Sequence, residues 1–261
     1  MSALHISLAA EPVINIGSFV ITNSMLASVV ASVFIVTLTL LVTRRVALQP
    51  KGLAVNILDA GGEALLAKIE RVTNHHQRAL TYFPFLATLF LFIIVNNWLG
   101  LLPGVGTIVI NTPHGTMPLL RGATADLNTT FALAIISVIL TQIYAIRHLG
   151  LLTHLGKYFS LNPILLFVGL LEFIAEFSKV LSFSFRLFGN IFAGEVLLVV
   201  ISFLVPLVAP LPFFFLELFV GFIQALVFTT LTLVFLEIAS ASHGEHTVDV
   251  HSAPASASLV N

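Results

Sequence analysis

The chain has 261 residues, of which 58% are hydrophobic and 9% charged, and its formal net charge is -1. With a mean hydropathy of +1.07, this composition excludes a soluble globular protein and indicates a membrane protein that crosses the bilayer several times. The near-neutral charge gives no reason to expect a nucleic-acid partner. The absence of cysteine excludes disulfides, thiolate metal sites and cysteine nucleophiles.

The chain begins with a short lead at 1–17, which lacks the features of a cleaved signal peptide. The run 19–42 follows without any charge and is closed by Arg44 and Arg45, which predicts a first membrane span. Residues 51–80 are polar and basic but carry apolar residues at helical spacing. This pattern predicts an amphipathic helix that lies on the membrane surface or returns the chain towards it.

Two further spans are predicted in the middle of the chain. The second covers 82–102, with Trp98 near its end as an interfacial anchor. The loop 103–125 is rich in glycine, proline and threonine and is compatible with a short hairpin. The third span covers 127–146, and Asp126 is placed as its N-cap.

The C-terminal part predicts a long helical hairpin. Its first helix covers 163–205 and, at 1.5 Å per residue, exceeds the bilayer thickness about twofold, so we expect it to tilt or bend. A turn with three prolines separates it from a last apolar helix at 213–239. The tail 240–261 is predicted to be flexible. Its three histidines resemble a metal site by number only: His243, His246 and His251.

The fold class is therefore an all-α membrane protein. We expect about five membrane-crossing helices and one amphipathic surface helix, with a long tilted C-terminal hairpin. The positive-inside rule favours an outer N-terminus and an inner C-terminus. This path leaves only Arg121 outside and puts eight basic residues inside: Arg44, Arg45, Lys51, Lys68, Arg71, Arg78, Arg147 and Lys157.

A polar stripe runs along the helix 163–205 on one face of about 120°. Its members are Glu172, Glu176, Lys179, Ser182, Arg186 and Asn190. Arg186 stays protonated and has no acid three or four residues away, so we expect its counter-charge from another subunit. Glu176 and Lys179 are spaced to pair with each other, either as structure or as part of a pathway. For Ser182 and Asn190, hydrogen bonding between helices is the alternative.

Acidic residues also occur near the outer end of the hairpin. Glu195 falls about 180° from Arg186 and about 13 Å further along the axis. On the last helix Glu217, Gly221 and Gln224 share one face. When residues are counted from the proline turn, Gln224 lies only roughly at the level of Arg186. Glu195 and Glu217 both fall in the outer half of the membrane. Two carboxylates there could line an aqueous path or serve as packing.

The segment 184–195, with the sequence SFRLFGNIFAGE, resembles the signature of subunit a of F-type ATP synthases. The resemblance extends in order over most of 55–240. It includes LGLLP at 99–103, ATADLN at 123–128, the polar positions of 172–179 and IQALVF at 223–228.

The resemblance implies the stator half of an ion-driven rotor, with the long hairpin against a ring of c subunits. Arg186 matches the essential arginine, Gln224 matches the glutamine that faces it, and Glu217 falls where some members have histidine and others glutamate. The resemblance and the polar stripe together give eight candidate ion-translocation residues: Arg186, Asn190, Glu195, Glu217, Gln224, Glu172, Lys179 and Glu176.

The expected partners are the c-ring, the peripheral-stalk b subunits, the lipid bilayer and protons or sodium ions. No cofactor, metal site or nucleic acid is expected, and the chain has no P-loop, HExxH motif or nucleophile triad for ATP chemistry. A bacterial inner membrane is favoured over a mitochondrial one. A secondary transporter or channel is the alternative, but inverted repeats are not evident. An intramembrane enzyme would need a paired catalytic constellation, which is not evident either.

Overall fold

The computed structural model describes residues 10–16, 19–45, 53–102, 105, 109–112, 115–156, 163–205 and 208–240. The helices are α1 (Asn23–Arg45), α2 (Leu53–Thr73), α3 (His76–Leu101), α4 (Leu127–Leu149), α5 (Leu151–Gly156), α6 (Pro163–Leu204) and α7 (Pro210–Ser240). The strands are β1 (Pro12–Ile16), β2 (Phe19–Thr22), β3 (Val109–Thr112) and β4 (Gly115–Pro118). Over the described residues, α1, α3, α4, α6 and α7 are long and apolar enough to cross a membrane. This confirms the predicted all-α membrane protein with about five spans.

The first span begins later than the sequence predicts. Residues 19–22 form β2, which pairs antiparallel with β1, and α1 starts only at Asn23. A four-residue apolar run is compatible with a strand or a helix by periodicity. The hairpin is closed by two hydrogen bonds: the Asn23 amide donates to the Glu11 carbonyl (3.1 Å), and the Glu11 amide donates to Asn23 Oδ1 (3.2 Å).

The amphipathic helix is shorter, and the second span longer, than predicted. The surface helix expected over 51–80 ends at Thr73, because Asn74 has a positive φ of 52°. Asparagine tolerates this conformation, which stops a right-handed helix. α3 then begins at His76 instead of residue 82. Its first turns therefore carry polar residues that the sequence alone assigned to the surface segment.

The loop before α4 contains the expected hairpin, in which β3 pairs antiparallel with β4. A 3-10 turn, Ala123–Ala125, follows. Asp126 caps α4 as predicted, because its Oδ1 accepts from the Asn128 amide (3.2 Å). Its Oδ2 accepts from Ser24 Oγ (2.7 Å). The cap therefore also ties α4 to the start of α1.

The C-terminal hairpin is present, and α6 runs unbroken for 42 residues. That length is about 63 Å at 1.5 Å per residue, twice the hydrocarbon thickness, so the tilted path stays the prediction. Pro210 and Pro212, assigned by sequence to the turn, form the first turn of α7, where proline removes no helical hydrogen bond. α7 therefore starts three residues before 213.

Other helix ends differ from the predicted ones by one to three residues: α1 reaches Arg45 and not 42, α3 ends at Leu101 and not 102, α4 reaches Leu149 and not 146, α6 ends at Leu204 and not 205, and α7 ends at Ser240 and not 239.

The packing leaves much of α6 uncovered. α7 contacts both α3 and α6, and α4 packs against α6 and α7. One buried apolar cluster joins α3, α4, α6 and α7, and a second joins α2, α3 and α7. Large apolar side chains of α6 nevertheless stay exposed, among them Phe167, Phe173, Phe177, Phe185 and Phe203. This surface is available to lipid or to another subunit.

Some expectations concern residues outside the described ranges. They include residues 1–9 of the lead, Lys51, Lys157, Pro206 in the turn, and the tail 241–261 with its three histidines.

Candidate ion pathway

The polar stripe predicted on α6 lies along one continuous helix. Arg186 Nη2 donates to Ser182 Oγ (3.4 Å), and Asn190 Nδ2 donates to the Arg186 carbonyl (3.0 Å). Both contacts join residues four apart, so these side chains follow one face of the helix, as predicted. Glu172 lies nearer the start of α6 and is half-buried.

The Arg186 side chain is exposed on the surface of the chain. The ion pairs found among the described residues involve other side chains, and the hydrogen bond of the guanidinium there is to the Ser182 hydroxyl. Arginine keeps its proton at any relevant pH, so a guanidinium at membrane depth requires an anion or water. This arrangement leaves Arg186 open to a carboxylate of a neighbouring subunit.

The predicted pair of Glu176 and Lys179 is present, with 2.5 Å between Lys179 Nζ and Glu176 Oε1. Both side chains are largely buried. Lys179 Nζ also lies 4.6 Å from the ring centroid of Phe235 on α7, which is a cation–π distance. The lysine is therefore held from two sides, and the pair helps to join α6 to α7.

Two contacts define the register of α6 against α7. Phe183 packs on Phe228 with ring centroids 4.9 Å apart. Eleven residues further along α6, Gly194 lies against the carboxylate of Glu217, which in turn precedes Phe228 by eleven residues. The register between the two antiparallel helices is therefore constant over this length.

This register brings the candidate residues to two common levels. Arg186 is three residues from Phe183, which places it within one residue of the level of Gln224. Arg186 and Gln224 therefore lie closer to one level than the sequence predicts. The reason is that the observed register places the midpoint of the hairpin slightly before the proline turn, from which the levels were counted. Glu195 follows Gly194 and lies level with Glu217. The level of these two carboxylates is thus about 13 Å from that of Arg186, measured along the axis of α6.

Glu195 pairs with a residue that the sequence analysis did not include in the pathway. Its Oε2 lies 3.6 Å from Arg121 Nη2, and the Arg121 side chain is 8% exposed whereas that of Glu195 is 41% exposed. Arg121 stands just before the 3-10 turn at Ala123–Ala125, which packs on α6. By charge distribution alone, Arg121 is only an outer basic residue. Its position beside the motif at 123–128 was the signal that could have identified it.

Glu217 is buried, and its Oε1 has no hydrogen-bond partner among the described residues. Gly194 makes room for this carboxylate because it has no side chain. A buried carboxylate at membrane depth requires water or a cation. Four residues on, the Gly221 carbonyl accepts from Asn97 Nδ2 of α3 (2.8 Å). Asn97, which the sequence did not single out, therefore adds α3 to the surroundings of Glu217.

A comparison with protein families finds one family model that covers most of the chain. The family model of the ATP synthase A chain matches residues 25–237, which include all the candidate residues. The chain belongs to the ATP synthase A chain family. Members of this family are membrane-sector subunits of ATP synthase with a role in ion translocation, and they associate with other subunits of the complex such as the c-ring.

Proposed function

We propose that this A chain provides two offset half-channels that carry ions to and from the carboxylates of the c-ring. Ion flow through them drives rotation and hence ATP synthesis. The observation that supports this proposal is the exposed Arg186, which forms no ion pair among the described residues and lies between two groups of carboxylates. Glu195 and Glu217 lie on one side of it. Glu172 lies on the other, about 21 Å along α6.

In this mechanism an ion enters through the outer half-channel beside Glu195 and Glu217 and neutralises a c-ring carboxylate. The neutral carboxyl group then turns into the lipid. After nearly a full turn it loses its ion to the inner half-channel near Glu172. The bare carboxylate is attracted to Arg186, whose fixed charge also prevents direct leakage between the half-channels.

The polar groups near Arg186 are uncharged and so do not neutralise it. The Ser182 hydroxyl accepts from the guanidinium, and Asn190 donates to the Arg186 carbonyl, while Gln224 supplies an uncharged amide at its level on α7. The pair Glu176–Lys179 lies between Arg186 and the inner carboxylate. It joins the two helices beside the inner half-channel.

One elementary charge that crosses 100 mV releases about 2.3 kcal/mol, so several ions must cross for each ATP. The proposal assigns no ATP chemistry to this chain. It includes protons or sodium as the ion and the peripheral-stalk b subunits as further partners. The distribution of basic residues supports an outer N-terminus and an inner C-terminus. The proposed location is a bacterial inner membrane, which makes the inner side cytoplasmic.

The substitution Arg186→Ala tests this mechanism in membrane vesicles that contain the assembled ATP synthase. We expect ion-driven ATP synthesis and ATP-driven ion pumping to fall to background, because the counter-charge for the rotor carboxylate is lost. Arg186→Lys should also be severely impaired, since lysine lacks the planar fork and can lose its proton when desolvated.

The matched control is Arg71→Ala, which removes an exposed arginine from the end of α2 and should leave both activities intact. Copurification of the Arg186→Ala chain with the c-ring shows that assembly is not the cause of the loss. Normal ATP synthesis in the Arg186→Ala enzyme contradicts the mechanism.

A further inference from the structure

A cleft of about 270 Å³ opens at the end of the helix bundle opposite to Glu195 and Glu217. It lies between the first turns of α3 and the last turns of α4. The residues that line it include Gln77, Arg78, Tyr82, Tyr144, Arg147 and His148, and its lining contains no acidic side chain. The proposed half-channel mechanism uses none of these residues.

Each wall of the cleft supplies one arginine. Arg78 Nη1 lies 3.2 Å from Glu237 Oε1 of α7, so part of its charge is already matched. Arg147 is exposed and forms no ion pair or side-chain hydrogen bond within the described part of the chain. A guanidinium presents several donors in a planar fork that fits phosphate oxygens. The cleft therefore has an unmatched group suited to a phosphate.

The cleft lies at the ends of two spanning helices, where lipid headgroups are expected, and two tyrosines line it. Tyr82 and Tyr144 pack edge to face with ring centroids 5.5 Å apart. The Tyr144 hydroxyl donates to the Thr81 carbonyl at 3.5 Å. Tyrosine is enriched at both membrane interfaces, where its ring lies in the apolar region and its hydroxyl reaches the polar one. A site at the ends of two spanning helices with this composition faces lipid headgroups.

An exposed apolar stripe on α4 leads to Arg147. Ile136, Ile139 and Ile143 precede it at intervals of three, four and four, which keeps all four on one helix face. Their exposed fractions are 51%, 52% and 39%. An acyl chain that lies along this stripe brings its phosphate to Arg147. A soluble phosphate makes no use of the stripe.

We propose that this cleft binds the phosphate of an anionic phospholipid, whose acyl chain lies along the isoleucine stripe of α4. Arg147 supplies most of the attraction because Glu237 already matches Arg78. Gln77 and His148 are placed to contact polar groups of the headgroup. A zwitterionic lipid is disfavoured, because its ammonium group is repelled by Arg147.

The test uses the assembled ATP synthase in phosphatidylcholine vesicles that contain a small fraction of photoactivatable phosphatidylglycerol, labelled in the headgroup. We expect labelled peptides from residues 76–82 and 143–148. Arg147→Gln should lower this labelling about tenfold, the effect of losing one charge-assisted contact. Arg147→Lys should retain part of it, and the control Arg71→Gln should leave it unchanged. ATP-driven pumping should persist in Arg147→Gln, which shows that the complex is folded.

Three outcomes would overturn the proposal. The first is equal labelling by a photoactivatable phosphatidylcholine, or labelling that Arg147→Gln does not change. The second is loss of labelling when inorganic phosphate is added to the buffer, which would assign the cleft to a soluble phosphate. The third is cross-linking of the cleft peptides to another subunit in place of the lipid.

Discussion

Replacing Gly194 by alanine should weaken the packing of α6 on α7. A Cβ at this position falls on the Glu217 carboxylate, so the carboxylate or the helices must move. Because the clash involves only the end of the Glu217 side chain, the cost is at the low end of the range for overpacking, about 1 kcal/mol, which changes the unfolding equilibrium about fivefold. For a chain of this size each kcal/mol moves Tm by about 2–4 °C. We therefore expect the Tm of Gly194→Ala to lie about 2–4 °C below that of Gly189→Ala, which gains the same helix propensity.

Gly189→Ala is the matched control for this substitution. Gly189 lies on the same helix, and a Cβ there meets nothing within 4 Å. Both substitutions gain the helix propensity of alanine over glycine, about 0.5–1 kcal/mol. The difference in Tm between the two variants therefore isolates the contact with Glu217.

Thermal unfolding of the purified chain in detergent can be followed by the fluorescence of Trp98, the single tryptophan. Its Nε1 donates to the Leu218 carbonyl (3.1 Å), next to Glu217, so the signal reports on the affected packing. Adding Glu217→Ala removes the carboxylate and should cancel the difference between the two glycine variants. Equal Tm values for Gly194→Ala and Gly189→Ala would refute the close packing.

Three further predictions concern the polar groups near the outer carboxylates. Glu195→Gln and Glu217→Gln should each slow coupled ion transport in vesicles and shift its pH dependence, whereas unchanged rates and pH profiles in both variants would assign them to packing. Arg121→Ala removes the cation 3.6 Å from Glu195 and should reduce transport. A double-mutant cycle with Glu195→Gln should be non-additive, and additive losses would exclude coupling. Asn97→Leu removes the hydrogen bond from α3 to the Gly221 carbonyl of α7 and should lower the free energy of unfolding by about 0.5–1.5 kcal/mol. A denaturation midpoint equal to that of the unaltered chain would show that the hydrogen bond contributes nothing.

The number of spans could be predicted from the sequence because the hydrocarbon thickness sets the length of an apolar helix. The starts of α1 and α3 could not. Residues 19–22 are too few to show a helical or a strand period, and the β-hairpin decides their structure. At the start of α3, Gln77 and Arg78 resemble a surface segment, yet a spanning helix extends through polar residues once Asn74 has ended the preceding helix.

Local spacing likewise explains which parts of the candidate site were predicted. The contacts of Arg186 with Ser182 and Asn190 join residues four apart on one helix, and periodicity alone gives their common face. The pair of Arg121 and Glu195 joins residues far apart in sequence. No local pattern specifies which loop meets which helix face, so this contact required the three-dimensional packing.

Polar contacts join α3 to α7 near both ends of the pair. Arg78 meets Glu237 at one end, and Trp98 meets Leu218 at the other, about 30 Å apart along the helices. In the proposed motor, a ring that turns past α6 exerts torque on it, and α6 transmits the load to α7. Because α3 and α7 are joined at two distant points, α7 cannot rotate about either contact alone. Such bracing lets the energy released by each ion turn the ring instead of bending the stationary subunit.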